Sequence, residues 1–136
     1  MITIDQIEDK LITEIQAALT GEGTVETIVG DPETYIEEIN PVVFPSVFIQ
    51  YESNEPVDRI IYPGVITFGI YFVHEKSVTK TNQRILFDFM LDLWGRLNDS
   101  CLGMNIQQPL YLTNQGYYSY TQNFIIYKQT YQIGVG

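Results

Sequence analysis

The 136-residue chain is the right length for one domain, and at 45% hydrophobic it can build a core without a disulfide or metal staple. Seventeen acids against seven bases give a net charge of −10. That balance argues against sequence-specific nucleic-acid binding, which needs a basic face for the phosphates, and against docking on anionic lipid.

Charge is unevenly placed. Residues 1–58 hold 13 acids and one base, Lys10, a net of −12; residues 59–136 hold 4 acids and 6 bases, a net of +2. From Ser100 to Gly136 the only charged side chain is Lys128, yet this stretch carries six of the ten tyrosines. Open surface usually carries about a quarter charged residues, whereas protein interfaces are tyrosine-rich and charge-poor. Two readings stand: a self-assembly surface, or two central strands with a neutral exposed face.

A first helix is expected from about Ile4 to Leu19. Thr3 caps it with Gln6 three residues on, as in a capping box. Ile4, Ile7, Leu11, Ile15, Ala18 and Leu19 form its apolar stripe, and Gly21 and Gly23 end it. Thr24 to Val29 is a short β-type run, followed by a turn at Gly30-Asp31-Pro32. Thr34 to Ile39 is acidic, short and without a clear period. Asn40-Pro41 and Pro45 make an extended approach to a strand at Val47–Glu52, whose unbroken apolar run indicates an interior place in the sheet. Residues 53–58 read as a connection, Arg59 to Tyr62 as the start of a strand, and Pro63-Gly64 as a break. Val65 to His74 is the clearest strand: Ile66, Phe68, Ile70 and Phe72 share one face, and Thr67, Gly69, Tyr71 and Val73 the other.

A second helix is expected from about Asn82 to Asn98, capped by Thr81, with Leu86, Phe89, Met90, Leu93 and Leu97 facing the core. Ile85, Phe87 and Trp94 widen its apolar surface beyond what one sheet face covers, which points to a second contact or to coverage by the chain after Gly103. The last strands are expected at Asn105–Thr113 and Asn123–Ile133, separated by the GYYSY segment at 116–120. The whole reads as one α+β domain over residues 1–136: a mainly antiparallel mixed sheet with two helices packed on one face.

The chain offers little chemistry. His74-Glu75 starts like a zinc-protease motif, but there is one histidine and one cysteine in all, so no His/Cys tetrad can form. His74 is expected as a surface residue at a strand end, and Cys101 as a small buried hydrophobe. A His74–Cys101 pair is the one candidate for a small acidic enzyme, and it lacks the local signatures of one. Gly21-Glu22-Gly23 lacks the third glycine and the Lys-Ser/Thr of a phosphate cradle. Acidic pairs such as Glu37-Glu38 read as solvated surface, and with only Lys128 near Tyr117, Tyr118 and Tyr120, base stacking has no electrostatic partner. No catalytic residue, metal ligand or cofactor is expected. The opening MITIDQIEDK lacks a signal peptide's basic start and long apolar run, no stretch reaches the roughly 20 apolar residues that span a bilayer, and the lone Cys101 forms no intrachain disulfide, so synthesis in a reducing cytosol is expected.

The ordered pattern resembles a family. An N-terminal helix opens Ile7-Glu8-Asp9 and ends in a glycine break. A short Val25–Val29 segment follows, then the proline-led strand Pro45-Ser46-Val47-Phe48-Ile49, the aromatic strand at 66–73 and an amphipathic helix containing Arg84 that ends near Leu102-Gly103. A Pro109-Leu110 strand and a tyrosine-containing C-terminal strand complete the set. In this order the chain resembles the small tail-terminator-like proteins of Mu-like phages and prophages. The Tyr-rich stretch 116–120 departs from that family's pattern.

The resemblance implies a non-enzymatic virion protein made in the host cytoplasm and then part of the virion's tail or neck. It would form a ring, usually hexameric, that caps the tail tube, stops its polymerisation and meets the head-side connector and, in contractile tails, the sheath. A neck or head-completion protein and an acidic regulatory binding domain are the alternatives. Composition places the protein–protein contacts at Tyr117, Tyr118, Tyr120 and Trp94. The acidic half either lines a lumen, where it would repel DNA, or forms the outer solubilising face.

Overall fold

The computed structural model describes residues 2–55, 64–77, 79–106 and 108–135. Eight elements follow in order: α1 (Ile4–Leu19), β1 (Thr24–Thr27), α2 (Pro32–Ile39), β2 (Ser46–Glu55), β3 (Gly64–Glu75), α3 (Lys80–Leu97), β4 (Gln108–Tyr120) and β5 (Phe124–Val135). The strands form one sheet in the order β1-β2-β3-β5-β4. β1 runs parallel to β2, and every other pairing is antiparallel. This is an α+β fold with a mixed, mainly antiparallel sheet.

The capping box predicted for α1 is present. The Thr3 hydroxyl accepts from the Gln6 amide at 3.2 Å, and the Gln6 side chain accepts from the Thr3 amide at 2.8 Å. The helix stops where Thr20 turns left-handed, at φ 52°, before Gly21. Gly23 is needed for a close approach, because a Cβ there would collide with the Pro45 carbonyl. That contact lets β1 start beside β2.

The alternation read in β3 holds. Ile66, Phe68, Ile70 and Phe72 point into the larger core, under α1 and α3. Across the β3–β5 ladder they meet Ile133, Tyr131, Gln129 and Tyr127. Tyr71 and Val73 point the other way, into a second cluster with Ile28, Ile36, Phe48, Phe124 and Ile126. Val47, Phe48 and Ile49 are all buried, as an interior strand requires.

One expectation is corrected here: among the described residues the helices are three and lie on both faces. α1 and α3 share one face, whereas α2, which shows no clear period in the sequence, packs on the other through Ile36. Its start is specified locally. Asp31 accepts from the Thr34 amide at 3.0 Å and from the Thr34 hydroxyl at 2.8 Å, and Pro32 occupies the first turn, where its missing N–H costs nothing. Two boundaries also move. α3 is capped by Thr79, which accepts from the Asn82 amide, so Thr81 lies inside the helix. The GYYSY segment forms the last part of β4 instead of a separator. The strand start expected at Arg59–Tyr62 lies outside the described residues.

A buried polar network locks α3 to the sheet. Gln129, fully buried, donates through Nε2 to the Met90 carbonyl at 3.0 Å and to Gln115 Oε1 at 3.2 Å, and it accepts from the Tyr131 hydroxyl at 2.8 Å. Burial pushes the Tyr131 phenol well above its ordinary value. The hydroxyl therefore stays a donor to Gln129 at every physiological pH.

Candidate functional site

β4 is the outermost strand on its side of the sheet, 13 residues without one charged side chain. Edge strands usually carry charge, proline or bulges that discourage further pairing. β4 has Pro109 and three register irregularities, between Gln108 and Tyr111, Leu112 and Asn114, and Tyr117 and Ser119. The third sets the orientation of the tyrosines. Tyr117 is paired with Tyr127 and Tyr120 with Ile125, which share the α1–α3 face. The extra residue between them resets the alternation, so Tyr117 and Tyr120 stand together although three positions apart.

Their rings lie 5.2 Å apart, and both are more than half exposed. The aromatic row continues from Tyr117 to Tyr127 at 6.4 Å and from Tyr127 to Phe87 at 5.1 Å. At its other end the Lys76 ammonium sits 5.7 Å from the Tyr120 ring centroid. Beside the row, a groove of about 410 Å³ runs between α3 and β4, lined by Phe87, Met90, Leu91, Gln115, Gly116, Tyr117 and Tyr127. Gln83 donates to the Tyr127 hydroxyl at 2.9 Å and anchors the groove floor.

α3 supplies the other wall. Lys80, Arg84, Phe87, Leu91 and Trp94 recur at spacings of three and four and make one outward stripe. Phe87, Leu91 and Trp94 are 42%, 64% and 38% exposed. Asp88 and Asp92 fall on the next stripe, with Ile85 and Arg96, where Arg96 pairs with Asp92 at 3.3 Å. The groove-side stripe is therefore apolar with a basic start and no acid.

Of the four side chains assigned to contacts from composition, the structure brings Tyr117 and Tyr120 together and sets Trp94 on the same stripe as Phe87. Tyr118, the bulge residue, turns to the opposite face, with its ring 5.0 Å from that of Tyr71. There it explains the lone charge between Ser100 and Gly136. The Lys128 ammonium lies 5.1 Å from the Tyr71 centroid and 5.5 Å from that of Tyr118, and pairs with Glu52 at 3.0 Å. Burial, with Glu52 nearby, pushes the Tyr71 phenol up to about 12. Gly69 leaves the space for this pair, since a Cβ there would stand 2.7 Å from Glu52 Oε1 and 2.9 Å from Lys128 Cε. Gly69→Val is expected to push the Glu52 and Lys128 side-chain ends apart and lower stability by about 0.5–1 kcal/mol, measured by urea denaturation; an unchanged midpoint would mean that the pair re-forms beside the new side chain.

A second feature missed from sequence is Glu37. It is not simply a solvated acid: its carboxylate accepts from the Asn123 amide and from Asn123 Nδ2, each at 3.0 Å, clasping α2 to the β4–β5 turn. These bonds, with one from the Thr121 hydroxyl as the largest contribution, hold the carboxyl below its ordinary value of 4.5. A lowered carboxyl stabilises the fold above its unfolded value and loses that contribution as pH falls through the folded one. Glu37→Gln is therefore expected to cost about 1 kcal/mol at pH 7 and to flatten the stability profile below pH 4.5. Denaturation midpoints across pH 3–7 check this; a variant profile parallel to that of the parent would exclude the clasp.

Two expectations about reactive side chains are reversed. Cys101 is exposed, because the chain turns sharply through left-handed Asp99 and Leu102 and Leu102 takes the buried place. His74 is 8% exposed instead of lying at the surface, stacked on Phe44 at 4.9 Å between centroids. Among the described residues, no three His, Cys, Asp or Glu side chains converge to hold a metal, and no helix is long and apolar enough to cross a membrane.

No family model matches the chain, and no curated protein matches it in sequence. Its fold is similar to that of a chain in a solved structure of the virion of a native gene transfer agent (GTA) particle. The TM-score is 0.53 and the identity 9%, over 92% of this chain and 90% of that one. At that identity what the two chains share is the path of the backbone.

Proposed function

We propose that the chain is a virion structural protein of one domain, and more narrowly a tail terminator: a ring subunit, hexameric by family resemblance, that caps a tail tube and forms the junction to the head connector. The observation that carries the reading is the fold, similar over nine-tenths of both chains to a component of a gene transfer agent virion. The surface supports it. α3 and β4 expose a continuous apolar and aromatic area of the kind that subunit contacts cover. The protein acts by shape-complementary contact with neighbours, each specific contact burying about 800 Å² on one partner. The experiment is electron microscopy of tail tubes assembled with and without the protein. Density at tube ends and tubes of limited length are expected; tubes that grow unchecked with bare ends would overturn the reading.

A further inference from the structure

Two exposed apolar surfaces stand on opposite faces of the sheet, and they differ in charge. The first is the α3–β4 groove with Phe87, Leu91, Trp94, Tyr117 and Tyr120. Lys80 and Arg84, both exposed, begin the groove-side stripe of α3, whereas Lys76, against Tyr120, also lines the hollow beside Val42 with Glu75 and belongs to neither surface alone. The second lies on the α2 side. Ile39, Val42 and Val43, between 46% and 81% exposed, follow directly on Glu38, and Glu33 and Glu38 line the outer side of α2.

We propose that the α3–β4 groove of one copy seats the α2 ledge of a second copy, head to tail. The two surfaces match in kind: apolar against apolar, with Lys80 and Arg84 against Glu33 and Glu38. A two-fold contact of α2 ledge on α2 ledge would set acids against acids. A two-fold contact of groove on groove would leave the acidic ledge unmatched. The surfaces belong to opposite faces of the sheet, because Ile36 of α2 packs on the Tyr71–Val73 side and α3 on the Phe68–Ile70 side. Each subunit therefore offers one surface of each kind in different directions, the condition for a heterologous contact that closes into a ring or continues as a filament. This deepens the tail-terminator reading and rests on it for its biological setting, while the contact itself follows from the two surfaces.

The test is sedimentation velocity on the full chain at about 100 μM, using two variants at exposed positions, Leu91→Glu and Glu38→Lys/Val42→Lys. Thermal melts matching that of the parent establish that both fold. The parent is expected to form species larger than a monomer, with affinity falling at least about tenfold between roughly 0.05 and 0.5 M NaCl. Each variant alone is expected to be monomeric, and their equimolar mixture to give heterodimers and nothing larger, since one good groove then meets one good ledge. A parent that stays monomeric overturns the proposal. So does a Glu38→Lys/Val42→Lys variant that still associates, or a mixture that does not pair. Tube-end microscopy separates the two readings: a monomer that caps tubes removes this inference and leaves the terminator reading, and head-to-tail assembly that ignores tubes does the reverse.

Discussion

Leu93→Ala is expected to lower the free energy of unfolding by about 2–5 kcal/mol, and Leu91→Ala, two residues away, to change it by no more than about 0.5 kcal/mol. Leu93 is fully buried with Leu86, Met90 and Leu97 against the sheet, so truncation removes its transfer energy and leaves a cavity that the Gln129 network keeps from collapsing. Leu91 is 64% exposed and loses almost nothing on truncation. The same pair separates by a second readout, because Leu91→Ala is expected to weaken self-association while Leu93→Ala acts through folding alone. Urea midpoints beside sedimentation profiles decide it. A Leu91→Ala chain as unstable as Leu93→Ala would mean that the outward stripe of α3 is already covered within the monomer.

Ile36→Ala is expected to cost about 2–5 kcal/mol, a large effect for one residue of an eight-residue helix. Such a helix has too few turns to stand alone and is held by what it packs on. Besides the Pro32 turn, Ile36 is the buried residue of α2, and it sits among Phe48, Tyr71, Val73 and Ile126. Its loss frees α2 and with it the Glu37 clasp on Asn123. Hydrogen exchange gives the local signature: the Asn123 amide is expected to exchange faster in the variant relative to amides in β3. Equal protection in both chains would show that the turn holds without α2.

Long periodic segments were legible in the sequence. The α1 stripe, the alternation of β3 and the core side of α3 each repeat over enough residues for the period to show, and each is found as expected. α2 was not, because one buried isoleucine in eight residues makes no period and its proline and three acids resemble a loop. The cap of α3 was displaced because Thr79 and Thr81 both satisfy the local rule, and the choice rests on where β3 releases the chain. The tail of β4 was read as a break because a bulge interrupts alternation at the tyrosines. His74 and Cys101 were misplaced for a shared reason. Their burial depends on Phe44, thirty residues from the histidine, and on left-handed turns at non-glycine residues that composition does not announce. For the candidate surface, Phe87, Trp94, Tyr117 and Tyr120 were visible as an excess of apolar and aromatic residues. Leu91 passed unnoticed, and the joining of helix and strand into one groove needed the fold.

The bulge at Tyr118 has a consequence for how such a surface changes over evolutionary time. A substitution on β4 alters one side chain in place, but loss of this one residue would leave a regular ladder with Tyr117 and Tyr120 still side by side, and would remove the ring that covers Lys128 on the opposite face. A one-codon deletion here would therefore strip one side of the sheet while sparing the paired tyrosines on the other, so the two sides can diverge independently.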